Sequence, residues 1–140
     1  MIVKYNTKEL DLLARIMRAE ALAEGNLGML MVGNVVINRV LASCLTFTNI
    51  RTITDAIYQK NQFAGTEISL FQSKSTTKEQ ELAKRVLIGE YYHPATNSLW
   101  FYAPSTGTSC KSTWYGQNYA GRYKNHCFYK PEPGVCHEIH

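Results

Sequence analysis

Apolar residues recur at helical spacing near the N-terminal end of the chain. Asn6 followed three residues later by Glu9 is a capping-box start for a helix. The apolar positions that follow come at intervals of three and four: Leu10, Leu13, Met17 and Ala21. This spacing predicts a helix with one buried stripe. Gly25 and Asn26 then supply the turn signal that ends it.

The next segment, 27–41, is apolar on almost every side. It predicts the buried central helix of the fold, and Gly28 and Gly33 within it allow close approach of a neighbouring backbone. Residues 42–51 lack a regular pattern and are interpreted as an irregular connection.

Two more helices follow from capping signals. Residues 52–58 open on Thr52 and predict a short helix. Residues 77–88 predict a longer scaffold helix, with Thr77 and Gln80 placed as its capping box and Gly89 just past its end. Residues 97–102 (NSLWFY) are the best strand candidate.

Aromatic residues are concentrated in the C-terminal third of the chain. Eleven of the sixteen fall between positions 91 and 129: Tyr91, Tyr92, Trp100, Phe101, Tyr102, Trp114, Tyr115, Tyr119, Tyr123, Phe128 and Tyr129. Aromatics interleaved with Gly, Asn, Gln and Ser suit a carbohydrate groove, because sugar rings present apolar faces framed by hydroxyls. At least half are expected to be structural. Trp100, Tyr102 and Trp114 are the groove candidates.

Composition places the chain among ordinary globular proteins. Its 140 residues, 45% hydrophobic and 19% charged, predict a single domain over 1–140. No apolar run is long enough to span a bilayer, and the first residues lack the features of a secretory signal. The net charge of +4 suits an anionic polymer or simply solubility. With no long Lys/Arg run, we expect neither a nucleic-acid partner nor a membrane partner.

The four cysteines are Cys44, Cys110, Cys127 and Cys136. Two disulfides are possible, but the missing export signal favours free thiols. His126 and Cys127, with Cys136, His137 and His140, invite a zinc interpretation, although their spacing fits no usual ligand frame. We therefore predict no metal and no cofactor, and expect packing or cross-linking roles for Cys127 and Cys136.

Glu20 is the most misplaced charge in the first helix. It lies three residues after Met17 and four after Ile16, so its carboxylate projects from the edge of the buried stripe. Partial desolvation would raise its pKa, as a general acid near neutral pH requires. Glu24 is predicted one turn further along the same face. The alternative is a helix carboxylate on a solvated face.

The segment 59–65 (QKNQFAG) combines side-chain amides with one aromatic residue. Such a loop can bind acetamido and hydroxyl groups while stacking on a sugar. The alternative is a polar loop pinned by a buried Phe63.

Five stretches together resemble the cell-wall hydrolases of the SleB/CwlJ family: ELDLLARIMRAEALAEG, VGNVVINRV, IYQKNQFAG, RVLIGEYYHPATNSLWFYAP and GRYKNHCFYKPEPGVCHEI. The resemblance covers essentially the whole chain. The lack of an export segment and the cysteine-bearing tail make it more similar to the spore cortex-lytic CwlJ branch. The family implies an α+β fold like that of lysozyme or the lytic transglycosylases, with a mainly helical core and a small aromatic-rich lobe of strands and loops.

The resemblance also implies a function, cleavage of spore-cortex peptidoglycan during germination. Glu20 corresponds to the catalytic acid of the family's A-E-A motif, Glu24 to its second acidic position, and Gln62 with Phe63 to a substrate-facing loop. Two carboxylates on one helix would approach the sugar from one side, which disfavours an inverting pair. A lytic transglycosylase avoids that need, because the C6 hydroxyl of muramic acid attacks and one Glu acts as acid and then base. Plain muramidase or glucosaminidase hydrolysis stays open.

Glu24 is expected to be structural, to bond Arg15 or Arg18, or to contact substrate. Rival functions are a non-catalytic carbohydrate-binding coat protein, and an amidase that uses zinc or a Cys127–His126 pair. Without an export signal, we expect synthesis in a sporulating mother cell and capture on the spore coat by a docking protein.

Overall fold

The helices precede the sheet along the chain. The structure, a computed structural model, describes residues 3–59, 63–136 and 139. The helices are α1 (Thr7–Ala21), α2 (Gly25–Ala42), α3 (Ile53–Tyr58), α4 (Ser69–Gln72) and α5 (Thr77–Leu87), with 3₁₀ turns at Leu22–Glu24, Leu45–Phe47 and Ala64–Glu67. The strands are β1 (Trp100–Tyr102), β2 (Thr113–Trp114), β3 (Gln117–Tyr123) and β4 (His126–Lys130).

Helix α1 begins where its capping signal predicts. The Asn6 Oδ1 accepts the Glu9 N–H at 2.8 Å, and the predicted stripe of Leu10, Leu13, Met17 and Ala21 is buried. The Glu9 carboxylate does not complete the capping box predicted with Asn6. It accepts hydrogen bonds from the N–H and the hydroxyl of Thr54 instead. The helix ends at Ala21, earlier than predicted, and a 3₁₀ turn follows. Glu24 therefore lies in the junction between two helices and not on α1.

Helix α2 is the central helix, as the sequence predicts. A Cβ added at Gly33 would lie 2.8 Å from Val86 Cγ2 and 3.0 Å from Met17 Sδ, so α1, α2 and α5 converge at this glycine. The capping box of α5 is Thr76 with Glu79, one residue before the predicted pair. Thr77 and Gln80 carry the same chemistry, so spacing alone could not separate the two registers.

The sequence predicts no uninterrupted apolar run that could span a bilayer, but the stretch Thr7–Ala42 taken as a whole is long and apolar enough, by length and composition, to do so. In this fold 72% of its most apolar window is buried inside the protein. It forms the hydrophobic core together with residues of α3 and α5.

The four strands form one antiparallel sheet in the order β1-β4-β3-β2. β4 is its buried central strand, and Phe101 of β1 pairs with Phe128. β1 is shorter than the predicted 97–102 strand. In the segment that leads into it, the Ala95, Thr96 and Ser98 carbonyls accept from the side-chain amide of Asn38 on α2. This amide anchors the sheet to the helical core.

All four cysteines form disulfides, which makes the expectation of free thiols wrong. Cys44 pairs with Cys136 and Cys110 pairs with Cys127. Folding brings the C-terminal tail to the end of α2, a proximity that linear spacing cannot reveal. Because Cys127 and Cys136 are already paired within the chain, neither is left for cross-linking, and Cys127 carries no free thiolate for a Cys–His nucleophile.

Candidate active site

Glu20 lies at the last turn of α1, on the wall of a groove of about 450 Å³. The groove is lined by residues of the α1–α2 junction, α4 and the sheet: Ala19, Glu20, Ala21, Leu22, Ala23, Glu24, Leu70, Ala103, Asn125 and His126. The partly buried Glu20 side chain accepts the Gly65 N–H at Oε2, 2.8 Å away. Its Oε1 accepts no hydrogen bond from any described residue. One carboxylate oxygen is therefore held, and the other is left for a ligand.

Gly65 owes its position to the absence of a side chain. A Cβ there would overlap Oε2 of Glu20 and lie 3.2 Å from the Ala19 Cβ. The glycine thus lets the 3₁₀ turn Ala64–Glu67 place a backbone N–H directly against the carboxylate. Sequence reasoning placed Gly65 in a substrate loop but had no signal for this contact.

Burial raises the pKa of Glu20 above its ordinary value. The Gly65 hydrogen bond and the positive charge of Arg39 oppose this shift without cancelling it. Because desolvation disfavours the ionised form, the carboxyl holds its proton to higher pH than an exposed Glu. This direction is the one a general acid needs.

Arg39 is the functional candidate that sequence reasoning missed. It comes from α2, is 3% exposed, and donates from Nε to the Leu99 carbonyl at 2.8 Å. Its guanidinium lies over the rings of Phe63 and Phe47, 4.5 and 5.2 Å from their centres. Burial lowers the pKa of Arg39 to about 9, and the Glu20 charge opposes that shift.

Arg39 therefore remains charged at neutral pH, when it can stabilise the ionised form of Glu20. Arg39 is a charged residue in a helix that is apolar on nearly all sides. The reasoning that identified Glu20 beside the apolar stripe of α1 could therefore have identified Arg39 as well.

Glu24 holds the sheet against the α1–α2 junction. Its Oε1 accepts the Asn125 N–H at 3.0 Å, and its carbonyl accepts from Lys124 Nζ at 3.1 Å. The His126 Nδ1 lies 3.5 Å from the same Oε1. Glu24 thus makes contacts that join the sheet to the helices, and it also lines the groove beside Glu20.

The expected bond from Glu24 to Arg15 or Arg18 is wrong. Arg15 binds Asp11 and the Phe71 carbonyl, and Arg18 binds Glu79 and the carbonyls of the 70–74 segment. Glu24 lies beyond the end of α1, so it does not share a helix face with either arginine.

The predicted aromatic residues do not share the Glu20 groove. Trp100 and Trp114 line a second cleft of about 570 Å³ together with Arg39, Leu45, Thr46, Phe101, Tyr115 and Gln117. Tyr102 is not among the residues that line either cavity, and its ring packs on those of Trp114 and Tyr129, with centres 4.9 and 5.7 Å apart.

Of the two predicted loop residues, Gln62 and Phe63, the structure describes only Phe63. Phe63 is buried against Arg39 and Phe101, which is the pinned-loop arrangement considered as the alternative. Gln62 lies outside the described residues. Phe63 therefore packs against Phe101, which lines the second cleft and also contacts His126 of the Glu20 groove.

The sequence profile of the cell wall hydrolase family matches residues 23–129. Glu24 lies inside that range and Glu20 three residues before it. Curated relatives named cell wall hydrolase CwlJ are similar over nearly the full length. The Oceanobacillus iheyensis protein is 53% identical, covering 99% of this chain and 97% of the relative. The Bacillus subtilis protein is 40% identical, covering 99% and 96%.

Two solved structures share the fold. The catalytic domain of the germination-specific lytic transglycosylase SleB from Bacillus anthracis aligns with a TM-score of 0.71 at 21% identity, covering 90% of this chain and 97% of that one. The SleB catalytic domain from Bacillus cereus aligns with a TM-score of 0.71 at 22% identity, covering 91% and 93%. These likenesses confirm the predicted α+β fold with its helical core and small sheet.

Proposed function

Because the chain belongs to the cell wall hydrolase family, is similar to its CwlJ members and shares the fold of the SleB catalytic domain, we propose that it cleaves peptidoglycan glycan strands with Glu20 as the general acid. Membership in this family makes it a peptidoglycan-cleaving enzyme. The observation that carries the assignment is the Glu20 carboxyl itself, fixed at one oxygen by the Gly65 N–H and open to the groove at the other.

In the proposed cycle, protonated Glu20 donates its proton to the glycosidic oxygen as the bond from the muramic acid carbon breaks. The raised pKa of Glu20 favours the protonated form at the start of the cycle. The Gly65 N–H and the charge of Arg39 then stabilise the carboxylate that forms. The negative charge that develops on Glu20 in the transition state is therefore stabilised by groups that are already in position.

The attacking group is proposed to be the C6 hydroxyl of muramic acid, which makes the enzyme a lytic transglycosylase with an anhydro product. Two observations support this choice. In the second carboxylate of the groove, Glu24, Oε1 accepts the Asn125 N–H and lies beside His126, so this oxygen holds the sheet and is not available to activate a water. The Bacillus anthracis neighbour in fold is itself described as a lytic transglycosylase.

Plain hydrolysis is the second candidate, because the groove is open to solvent beside Glu20. Mass spectrometry of products from purified cortex peptidoglycan separates the two reactions, since the anhydro product lacks one water. Reducing ends without anhydro ends would contradict the transglycosylase assignment and leave Glu20 as the acid of a hydrolase.

The second cleft is proposed to bind a sugar farther along the strand. Trp100 and Trp114 offer apolar ring faces, and Gln117 offers an amide beside them. Stacking and amide hydrogen bonds can act together on an acetylated sugar. Glu24 and Phe63 then act mainly as supports, and Tyr102 positions Trp114 through its ring contact.

A spore-associated location during germination is proposed as well, with capture on the coat by a docking protein. The germination-specific description of the SleB neighbour supports the spore context. Fractionation of spores tests it, with recovery in the coat fraction as the expected result. Protein found free in the spore cytosol, or secreted by growing cells, would contradict the location.

Glu20→Gln tests the catalytic assignment. Glutamine keeps the size and the helix propensity but cannot transfer a proton, so turnover of cortex fragments should fall by about 10²–10⁴-fold. The melting temperature should stay the same. Glu67→Gln is the matched control, because this exposed carboxyl lies in the Ala64–Glu67 turn outside the groove.

Near-normal turnover by folded Glu20→Gln would overturn the assignment of the acid. Binding of cortex without any turnover by the unmutated chain would instead favour the non-catalytic carbohydrate-binding protein.

A further inference from the structure

His126 faces the same groove as Glu20 but comes from the other part of the fold. It is the first residue of β4 and 7% exposed, whereas Glu20 ends α1. Its ring packs edge-on against Phe101, with centres 5.0 Å apart. The groove therefore brings together a carboxyl from the helices and an imidazole from the sheet, and the proposed cycle uses only the carboxyl.

The two nitrogens of His126 have different surroundings. Nδ1 is buried and turned toward Glu24, with Oε1 of that carboxylate 3.5 Å away. A carboxylate beside one nitrogen favours the tautomer with its proton there. Nε2 then carries the lone pair. The distance exceeds an ordinary hydrogen bond, but such contacts in ligand-free sites commonly tighten when substrate binds.

We infer that His126, oriented by Glu24, is the proton acceptor for the hydroxyl that attacks the sugar once Glu20 has protonated the leaving oxygen. This inference rests on the proposed function and adds a second residue to it. His126 would be a catalytic residue, because its Nε2 contacts the reacting hydroxyl. Glu24 would be a positioning residue that acts through His126.

The proton balance of the step is complete. Glu20 gives its proton to the glycosidic oxygen as the bond between that oxygen and the muramic acid C1 breaks. The attacking oxygen, from the C6 hydroxyl or from water, forms the new bond to C1 and passes its proton to Nε2. The imidazolium then loses a proton to solvent and Glu20 regains one, both through the open groove.

The electrostatics of the two groups support these roles. Burial lowers the pKa of His126 more than the charge of Glu24 raises it, so the ring is neutral at pH 7 and able to accept a proton. The pKa of Glu20 moves the other way. Two titratable groups whose pKa values are pushed in opposite directions within one site form an acid and a base. The charged groups around His126 are Glu24, Glu20 across the groove, and Lys124, which binds the Glu24 carbonyl.

The first test is the pH dependence of kcat for His126→Gln on purified cortex fragments. We expect kcat to fall by at least about 10²-fold, the lower end of general-base catalysis, with KM little changed. The acid limb of the profile should disappear, because it reports protonation of His126, and the alkaline limb set by Glu20 should remain. His93→Gln is the matched control, since His93 is exposed and outside the groove.

The second variant, Glu24→Gln, gives an independent measurement should His126→Gln fail to fold. Removing the negative charge lowers the pKa of His126, because Glu24 raises it, so the acid limb should move to lower pH. Its kcat should fall by about 10–100-fold, as for other groups that orient a reacting residue. A purely structural Glu24 would lower the melting temperature without moving this limb.

The outcomes separate the inference from the proposed function. If Glu20→Gln is inactive while folded His126→Gln keeps its kcat and its acid limb, the inference is wrong and the function stands. An unmoved acid limb in Glu24→Gln would equally overturn it. If Glu20→Gln and His126→Gln both keep normal turnover, the proposed function fails with it.

Discussion

Replacing Gly65 with alanine tests how the protein holds its catalytic acid. The new Cβ would overlap Oε2 of Glu20 and lie 3.2 Å from the Ala19 Cβ, so the turn or the carboxylate must move. The backbone of Gly65 is not in the positive-φ region, so alanine adds no conformational strain of its own. The expected damage is loss of the 2.8 Å bond from the Gly65 N–H to Glu20.

The magnitude follows from when that bond matters. The carboxylate is ionised only after it has given up its proton, so the Gly65 N–H stabilises the transition state more than the starting state. A hydrogen bond to a charged group contributes about 1.5–3 kcal/mol. Loss of that amount lowers kcat by about 10- to 150-fold. Substrate binding through the second cleft should change little.

The pH profile gives a second readout with a definite sign. The Gly65 bond lowers the pKa of Glu20, so its loss raises that pKa further. Because Glu20 must be protonated to act, the alkaline limb of the profile should shift to higher pH. Glu67→Ala is the control, since it removes an exposed side chain from the same turn and adds nothing beside Glu20. A folded Gly65→Ala with normal kcat and an unmoved alkaline limb would refute this account of the acid.

Two further predictions concern stability. Cys44→Ser with Cys136→Ser should lower the free energy of unfolding by about 1.5 kcal/mol more than Cys110→Ser with Cys127→Ser, because the closed loops span 92 and 17 residues; equal losses in denaturant unfolding would contradict the loop argument. Arg18→Ala should cost about 3–5 kcal/mol, because it leaves the largely buried Glu79 carboxylate without its cationic partner and the Leu70 carbonyl without its donor. The exposed Lys8→Ala on the same helix serves as its control, and a similar melting temperature for both variants would show that the Arg18 cluster contributes little.

Local sequence signals determined α1, α2, α3 and α5 and the main catalytic candidate, whereas the short α4 was not predicted. The caps at Asn6 and Thr52 start α1 and α3 as predicted, because a side-chain oxygen reaches a backbone N–H three residues later without help from the rest of the fold. The apolar stripe of α1 is buried for a similar reason, since helical spacing alone assigns its face. Glu20 was found because its place beside that stripe predicts desolvation.

Only the tertiary structure decided the partners of these residues. The bond from Gly65 to Glu20 joins positions 45 residues apart, and that from Asn125 to Glu24 joins positions 101 apart. The same holds for the disulfides, and for the separation of Trp100 and Trp114 from the Glu20 groove. Periodicity and capping report interactions within a few residues, whereas hydrogen-bond partners, desolvation and cavity walls are set by segments that meet only when the chain has folded.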